Sequence, residues 1–114
     1  MSNKLRETIL NATDLNYEPV DVPEWGGCTI ALQGLTARQR SLVVGQVVDG
    51  KTDALMIDLV LMGAVDPDTH EPIFDLADRD SLMSKSGAVI DRLATIVLRL
   101  SGMAPQALEA AGNA

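Results

Sequence analysis

This 114-residue chain is short of the residues that usually carry chemistry. It has one cysteine and one histidine, so Cys28 can form no internal disulfide and His70 is the only imidazole. A single cysteine fits a reducing compartment. Aromatic residues make up 3% of the chain, namely Trp25, Tyr17 and Phe74, which leaves the core to aliphatic side chains and methionine. No basic stretch is followed by an apolar one in the manner of a secretion signal. The longest apolar run, residues 54–65, is interrupted by Asp58 and falls short of the ~20 residues needed to span a bilayer. These absences point to a soluble intracellular protein that inserts into no membrane. A chain of this length folds as one domain, 1–114, and buries about two thirds of its unfolded surface without staples.

What the chain has in excess is negative charge, −7 overall, concentrated between positions 49 and 80. Asp49, Asp53, Asp58, Asp66, Asp68, Glu71, Asp75, Asp78 and Asp80 face only Lys51 and Arg79 there, and the rest of the sequence is balanced. An acidic middle third repels phosphate backbones and disfavours direct nucleic-acid binding, whereas a basic protein segment complements it. The bland alternative, a solvated face that keeps the protein in solution, has equal weight.

The segment 84–102 organises the rest. Val89, Leu93, Ile96, Val97 and Leu100 recur at steps of three and four, with Ile90, Ala94 and Leu98 widening the face, and only Asp91, Arg92, Thr95 and Arg99 remain as a polar strip. Such a helix is central, and burying its five main-face side chains stabilises by roughly 10 kcal/mol before entropy is subtracted. Ser84 or Ser86 caps its start, and Gly102 and Pro105 end it.

The pattern ahead of that helix changes period twice. A short amphipathic stretch with Leu5, Ile9 and Ala12 opens the chain, and its stability depends on docking. Alternation at Val20 and Val22, five residues with a Gly-Gly pair, then Cys28, Ile30 and Leu32 read as a hairpin over about 17–34. Thr36 with Gln39 forms a capping box, so 36–48 is read as a helix despite its valines. A helix over 53–62 capped by Thr52, a turn at DPDTHE, a short helix over 76–83 capped by Asp75, and the long helix over 86–101 complete the fold. A last weak turn over 105–111 precedes a fraying end. The fold class is therefore mainly α with a small N-terminal β-hairpin (α+β), a compact helical domain around the long C-terminal helix.

A search for reactive constellations yields little. Cys28 with His70 makes a nucleophile and base only if the fold joins them, and a buried cysteine beside an exposed turn histidine is the plainer reading. The loop Asp66, Asp68, His70, Glu71 lacks the glycine and the final glutamate of an EF-hand, so no metal and no cofactor is assigned. Trp25 reads either as a lid folded over the helices or as an interface anchor. Met56, Met62, Met83 and Met103 read as core filler or as an adaptable groove lining.

The run ILNATDLNYEPVDVPEWGG at 9–27, the LTARQR helix start at 35–40, and the closing pattern MGAVDPDTHEPIF with DLADRDSLMSKSGAVIDRLATIVLRLSGM resemble the small tail assembly chaperones of long-tailed (siphovirus-type) phages and prophages. The resemblance runs from Leu5 to Met103, and the valine-rich LVVGQVV departs from that family's more charged helix. It implies a non-enzymatic protein that binds the tape-measure protein, keeps it soluble in the host cell cytoplasm, and helps recruit tail tube protein, in some phages through a longer frameshifted form. Such a protein is not expected in the mature virion. Self-association stays open. The partner-binding candidates are Trp25, Asp66, Asp68, Asp75, Asp78, Asp80 and Met103. Two other readings stay on the page: a small structural adaptor or tail-completion protein retained in the virion, and an enzyme or metal-dependent regulator built on His70 and the acidic turn.

Overall fold

A computed structural model describes residues 2–103, so the turn expected at 105–111 and the fraying end lie outside the described residues. The chain runs α1 (Ser2–Asn11), β1 (Tyr17–Val22), a 3-10 turn (Pro23–Trp25), β2 (Cys28–Gln33), α2 (Ala37–Val48), α3 (Leu55–Gly63), β3 (Ala64–Val65), a second 3-10 turn (Leu76–Asp78), α4 (Arg79–Met83) and α5 (Gly87–Leu100). This is the expected α+β arrangement, with helices dominating and the sheet near the N-terminus.

The sheet has three strands rather than two, all antiparallel in the order β1-β2-β3. β1 and β2 pair from Tyr17↔Gln33 at one end to Val22↔Cys28 at the tip. β3, only two residues long, adds opposite Ala31 and Leu32. Burial also departs from simple alternation: Ile30, Ala31 and Leu32 are all buried in β2, the middle strand, with Ala31 and Leu32 flanked by β1 and β3. Cys28, placed in the core by its alternation with Ile30, is instead exposed, because it sits at the strand end beside the hairpin tip where nothing lies over it.

α5 is the centre of the core, packed chiefly on α3 and also against β2. Its buried face is Val89, Ile90, Leu93, Ala94, Val97 and Leu98, while Ile96 and Leu100 are only partly covered. The buried stripe is thus turned from the expected one: Ile90, Ala94 and Leu98 belong to its middle, and Ile96 and Leu100 form its margin. Ser86 stands at the N-cap without a side-chain bond. The C-terminus closes as a Schellman motif, with Met103 N–H donating to the Leu98 carbonyl (2.9 Å), Gly102 N–H to that of Arg99 (3.1 Å), and Gly102 left-handed at φ 72°.

Two glycines set how closely the layers approach. A Cβ on Gly63 would lie 2.5 Å from Val97 Cγ2, and one on Gly34 would lie 2.7 Å from the Leu100 carbonyl oxygen. Beside Gly34, Leu35 N–H donates to Ser101 Oγ (2.8 Å), which itself donates to the Val97 carbonyl (2.6 Å). The end of α5 is therefore fastened to the junction of β2 and α2.

α2 starts at the expected capping box, Gln39 N–H donating to Thr36 Oγ1 and Thr36 N–H to Gln39 Oε1. Its valines do not override that signal, yet only Val43 and Val47 are buried, and Leu42, Val44 and Val48 face outward. α3 begins at Leu55, two residues later than expected, with Ala54 at the cap and no side-chain cap from Thr52. Asp58, buried within it, is held by Arg79 Nη2 at 2.9 Å. α1 is a ten-residue helix whose Leu5, Ile9 and Leu10 are each more than 60% exposed. No helix of the described residues is long and apolar enough to cross a membrane.

Candidate partner-binding surface

Chemistry-bearing residues are kept apart by the hairpin. His70 stacks on Tyr17, ring centroids 3.9 Å apart, and Tyr17 lies at the open end of the hairpin. Cys28 lies at the tip end, five residue steps or roughly 17 Å away. The two cannot act as nucleophile and base. His70 has a left-handed backbone, φ 61°, and its N–H donates to the Asp66 carbonyl at 2.8 Å, closing the loop between β3 and Pro72.

The acidic turn is organised around its own backbone. Asp66 Oδ1 accepts from the N–H groups of Asp68 (2.8 Å) and Thr69 (3.1 Å), and these bonds pull its carboxyl below the usual range. Asp66 thus builds the loop; Asp68 is exposed. Asp75 and Asp78 form a reciprocal cap on the turn into α4, Ala77 N–H donating to Asp75 Oδ1 (2.8 Å) and Asp75 N–H to Asp78 Oδ2 (2.9 Å). Asp80 is exposed on α4. Met103 is 6% exposed and packs into the core as the apolar partner of the Schellman turn, so it presents no surface to a partner. Met56 and Met62 also pack on the core, and of the four methionines only Met83 is exposed.

The candidates therefore split. Asp66 and Asp68 lie towards the open end of the hairpin, Met103 lies inside, and Trp25 sits at the tip against Phe74, the residue before Asp75. There the 3-10 turn ends in Gly26 and Gly27, both left-handed (φ 74° and 70°), a conformation that other residues adopt only under strain. These glycines fold Trp25 back on the core, where it meets Phe74 edge to face at 6.5 Å. The lid reading of Trp25 is right for its inner side, and its remaining, partly exposed side lines a groove. Phe74, Leu82, Glu24, Gly26 and Lys85 complete that groove, which encloses about 480 Å³. In the segment that carries Phe74 and Leu82, Leu76 is 83%, Met83 53% and Ile73 40% exposed.

Glu24 fixes the tip to α5. Both its oxygens accept from Arg92, at 2.8 and 3.0 Å, and these hydrogen bonds lower its carboxyl to about 2 while raising the Arg92 guanidinium. Two helical turns further along the same strip, Arg99 grips Glu18 of β1 at 2.8 Å. The polar strip of α5 is thus a pair of clamps seven residues apart. That role, and the parts played by Phe74, Leu76 and Leu82, were missed from sequence. The seven-residue spacing of Arg92 and Arg99 was the available signal.

Known proteins bear on this geometry in one way. The structure is similar to that of the bacteriophage HK97 tail assembly chaperone, with a TM-score of 0.64 and 24% identity over 88% of this chain and 95% of that one. At that identity the likeness establishes a shared fold, the one implied by the sequence resemblance. No family model matches the chain, and no curated protein sequence does.

Proposed function

We propose that this chain is a phage tail assembly chaperone, which binds the tape-measure protein, holds it soluble in the host cytoplasm, and helps recruit tail tube protein. The observation that carries this reading is the fold shared with the HK97 tail assembly chaperone across nearly the whole of both chains. The distribution of apolar surface supports it. A tape measure presents a long amphipathic helical ridge, and many small copies, each with a modest apolar patch and a repulsive charge, cover such a ridge without clumping. This protein carries exposed apolar side chains on α1, on α2 and around the hairpin tip, together with a net charge of −7. Its work is reversible contact, and no bond is made or broken.

Co-expression tests this directly. The tape-measure protein encoded beside this chain should be insoluble alone and soluble with it, in a complex that co-purifies. Mass spectrometry of purified virions should find tube and tape-measure peptides without peptides of this chain. Stoichiometric recovery in virions would establish the structural adaptor instead, and a tape measure equally soluble without this chain would remove the chaperone role.

A further inference from the structure

We infer that the groove between Trp25 and Phe74 is the client-docking site, and that it takes an amphipathic helix whose apolar stripe is flanked by lysine or arginine. This rests on the chaperone reading above and specifies where the client sits and what chemistry it presents.

Three observations converge on the groove. Its floor is preorganised: the Gly26-Gly27 backbone, the edge-to-face contact with Phe74 and the Glu24–Arg92 clamp hold Trp25 in place, so little ordering remains to be done on binding. Tryptophan held this way, largely buried but partly exposed beside apolar neighbours, is a residue type enriched among interface anchors. Its margin is apolar without an internal reason. Leu76, two residues after the groove-lining Phe74, and Met83, directly after Leu82, lie on the 3-10 turn and α4, and each exposes more than half of its surface to water.

The charge around the groove selects the occupant. Asp75, Asp78 and Asp80 lie along the same turn and helix against Arg79, which is bound to Asp58, and Lys85, which lines the groove; Glu24 is matched by Arg92, so the surroundings keep a net negative charge. A basic-flanked segment is attracted, whereas an acidic one is repelled. The sheet edges favour a helix over an added strand. Pro19 interrupts the donor row of edge strand β1, and β3 is two residues long and already bridged to Pro72. A volume of about 480 Å³ accommodates a few side chains from one helix face. The outer face of α2 carries Arg38 and Arg40, so it does not share this preference.

Fluorescein-labelled peptides tiling the tape-measure protein decide the matter by anisotropy. The peptides that bind the full-length protein should be those with Lys or Arg beside an apolar i, i+3, i+7 stripe. The double variant Leu76→Asp/Met83→Asp should bind them at least tenfold more weakly with an unchanged thermal melt, and Asp80→Lys should weaken binding about threefold at low salt and not at high salt. If the double variant binds every peptide as the wild type does while the tape measure is still solubilised, the groove assignment falls and the chaperone reading stands. If the bound peptides are acidic, the selectivity is wrong. α1 itself, with Lys4, Leu5, Arg6 and Ile9, is a basic amphipathic helix. Should Leu5→Asp/Ile9→Asp convert a sedimenting oligomer to monomer and raise peptide affinity, the groove's occupant is a second copy and the inference is overturned. Failure of the wild type both to bind any peptide and to solubilise the tape measure counts against the functional reading first.

Discussion

The interior where β2 and α3 meet α5 and the apolar surface of α1, of the outer face of α2 and of the segment 73–85 are made of similar residues in opposite states. On the first, Leu32, Leu59, Leu93 and Leu98 are fully buried, glycines bring backbones within van der Waals contact, and Arg92, Arg99 and Ser101 fasten the edges. On the second, Leu5, Leu42, Val48, Leu76 and Met83 are more than half exposed. A closed core and an open apolar surface in one small protein imply a division of labour: one side stores the stability, and the other is kept available at the expense of solubility, which the acidic third restores.

The contrast is broken most severely by placing the same charge on each side. Leu93→Asp puts a carboxylate where no water reaches and should cost about 5 kcal/mol or more, enough to leave the chain unfolded by circular dichroism. Leu76→Asp should stay within about 0.5 kcal/mol of wild type in urea unfolding. A melt in which both variants behave alike would erase the distinction.

Next come the close approaches. Gly34→Ala drives a methyl into the backbone carbonyl of Leu100, which has nowhere to rotate, and should cost about 3 kcal/mol. Gly63→Ala meets the side chain of Val97, which has some freedom to shift, so about 2 kcal/mol is expected. Paired urea titrations should keep that order.

A smaller effect is expected where the two sides touch. Arg79 reaches from α4 to Asp58 with a single Nη2 contact, and its Nε is buried with no partner. Arg79→Ala leaves the Asp58 carboxylate with 13% of its side chain exposed and no cation, a loss of about 2 kcal/mol, below the cost of breaking a fully buried pair. Asp58→Leu in the same background should recover most of it, and a purely additive double mutant would show that the pair is not coupled.

The gentlest test concerns the Glu24 clamp. Its carboxyl lies near 2 in the folded protein against an ordinary 4.5, so the folded state holds this proton less tightly than the unfolded chain does. The clamp's contribution is complete above about pH 4.5 and is lost as the pH falls through 4.5 towards 2. Glu24→Gln should flatten that part of the stability profile and lower the neutral plateau by the same small amount, small because the pair is solvent-exposed and screened.

Local signals were legible in the sequence wherever one short stretch determines the outcome. The Thr36–Gln39 box overrode four valines, the Gly26-Gly27 turn set the hairpin, and Asp75 capped the turn into α4. What could not be read depended on partners distant in the chain. The third strand exists because Ala64 and Val65 leave α3 directly opposite Ala31 and Leu32, and that neighbour exposes Cys28 by omission and buries Ala31 by contact. The position of α5's buried stripe likewise depends on a distant partner, with Val97 packed closely on Gly63 of α3 and Ile90, Ala94 and Leu98 buried beside it. At the candidate surface Trp25 stood out as the sole tryptophan, and the capping acids followed from spacing. Phe74 as its companion, and Met103 as core, required the three-dimensional path of the chain.

Because Trp25 is the chain's only tryptophan, its emission reports directly on the groove. Titrating the full-length protein with a tryptophan-free tape-measure peptide that binds it should shift the Trp25 emission maximum to the blue in step with the anisotropy signal, as water leaves the exposed face of the indole. Saturated binding with an unmoved emission maximum would place the client elsewhere and contradict the assignment of the open side as the working surface.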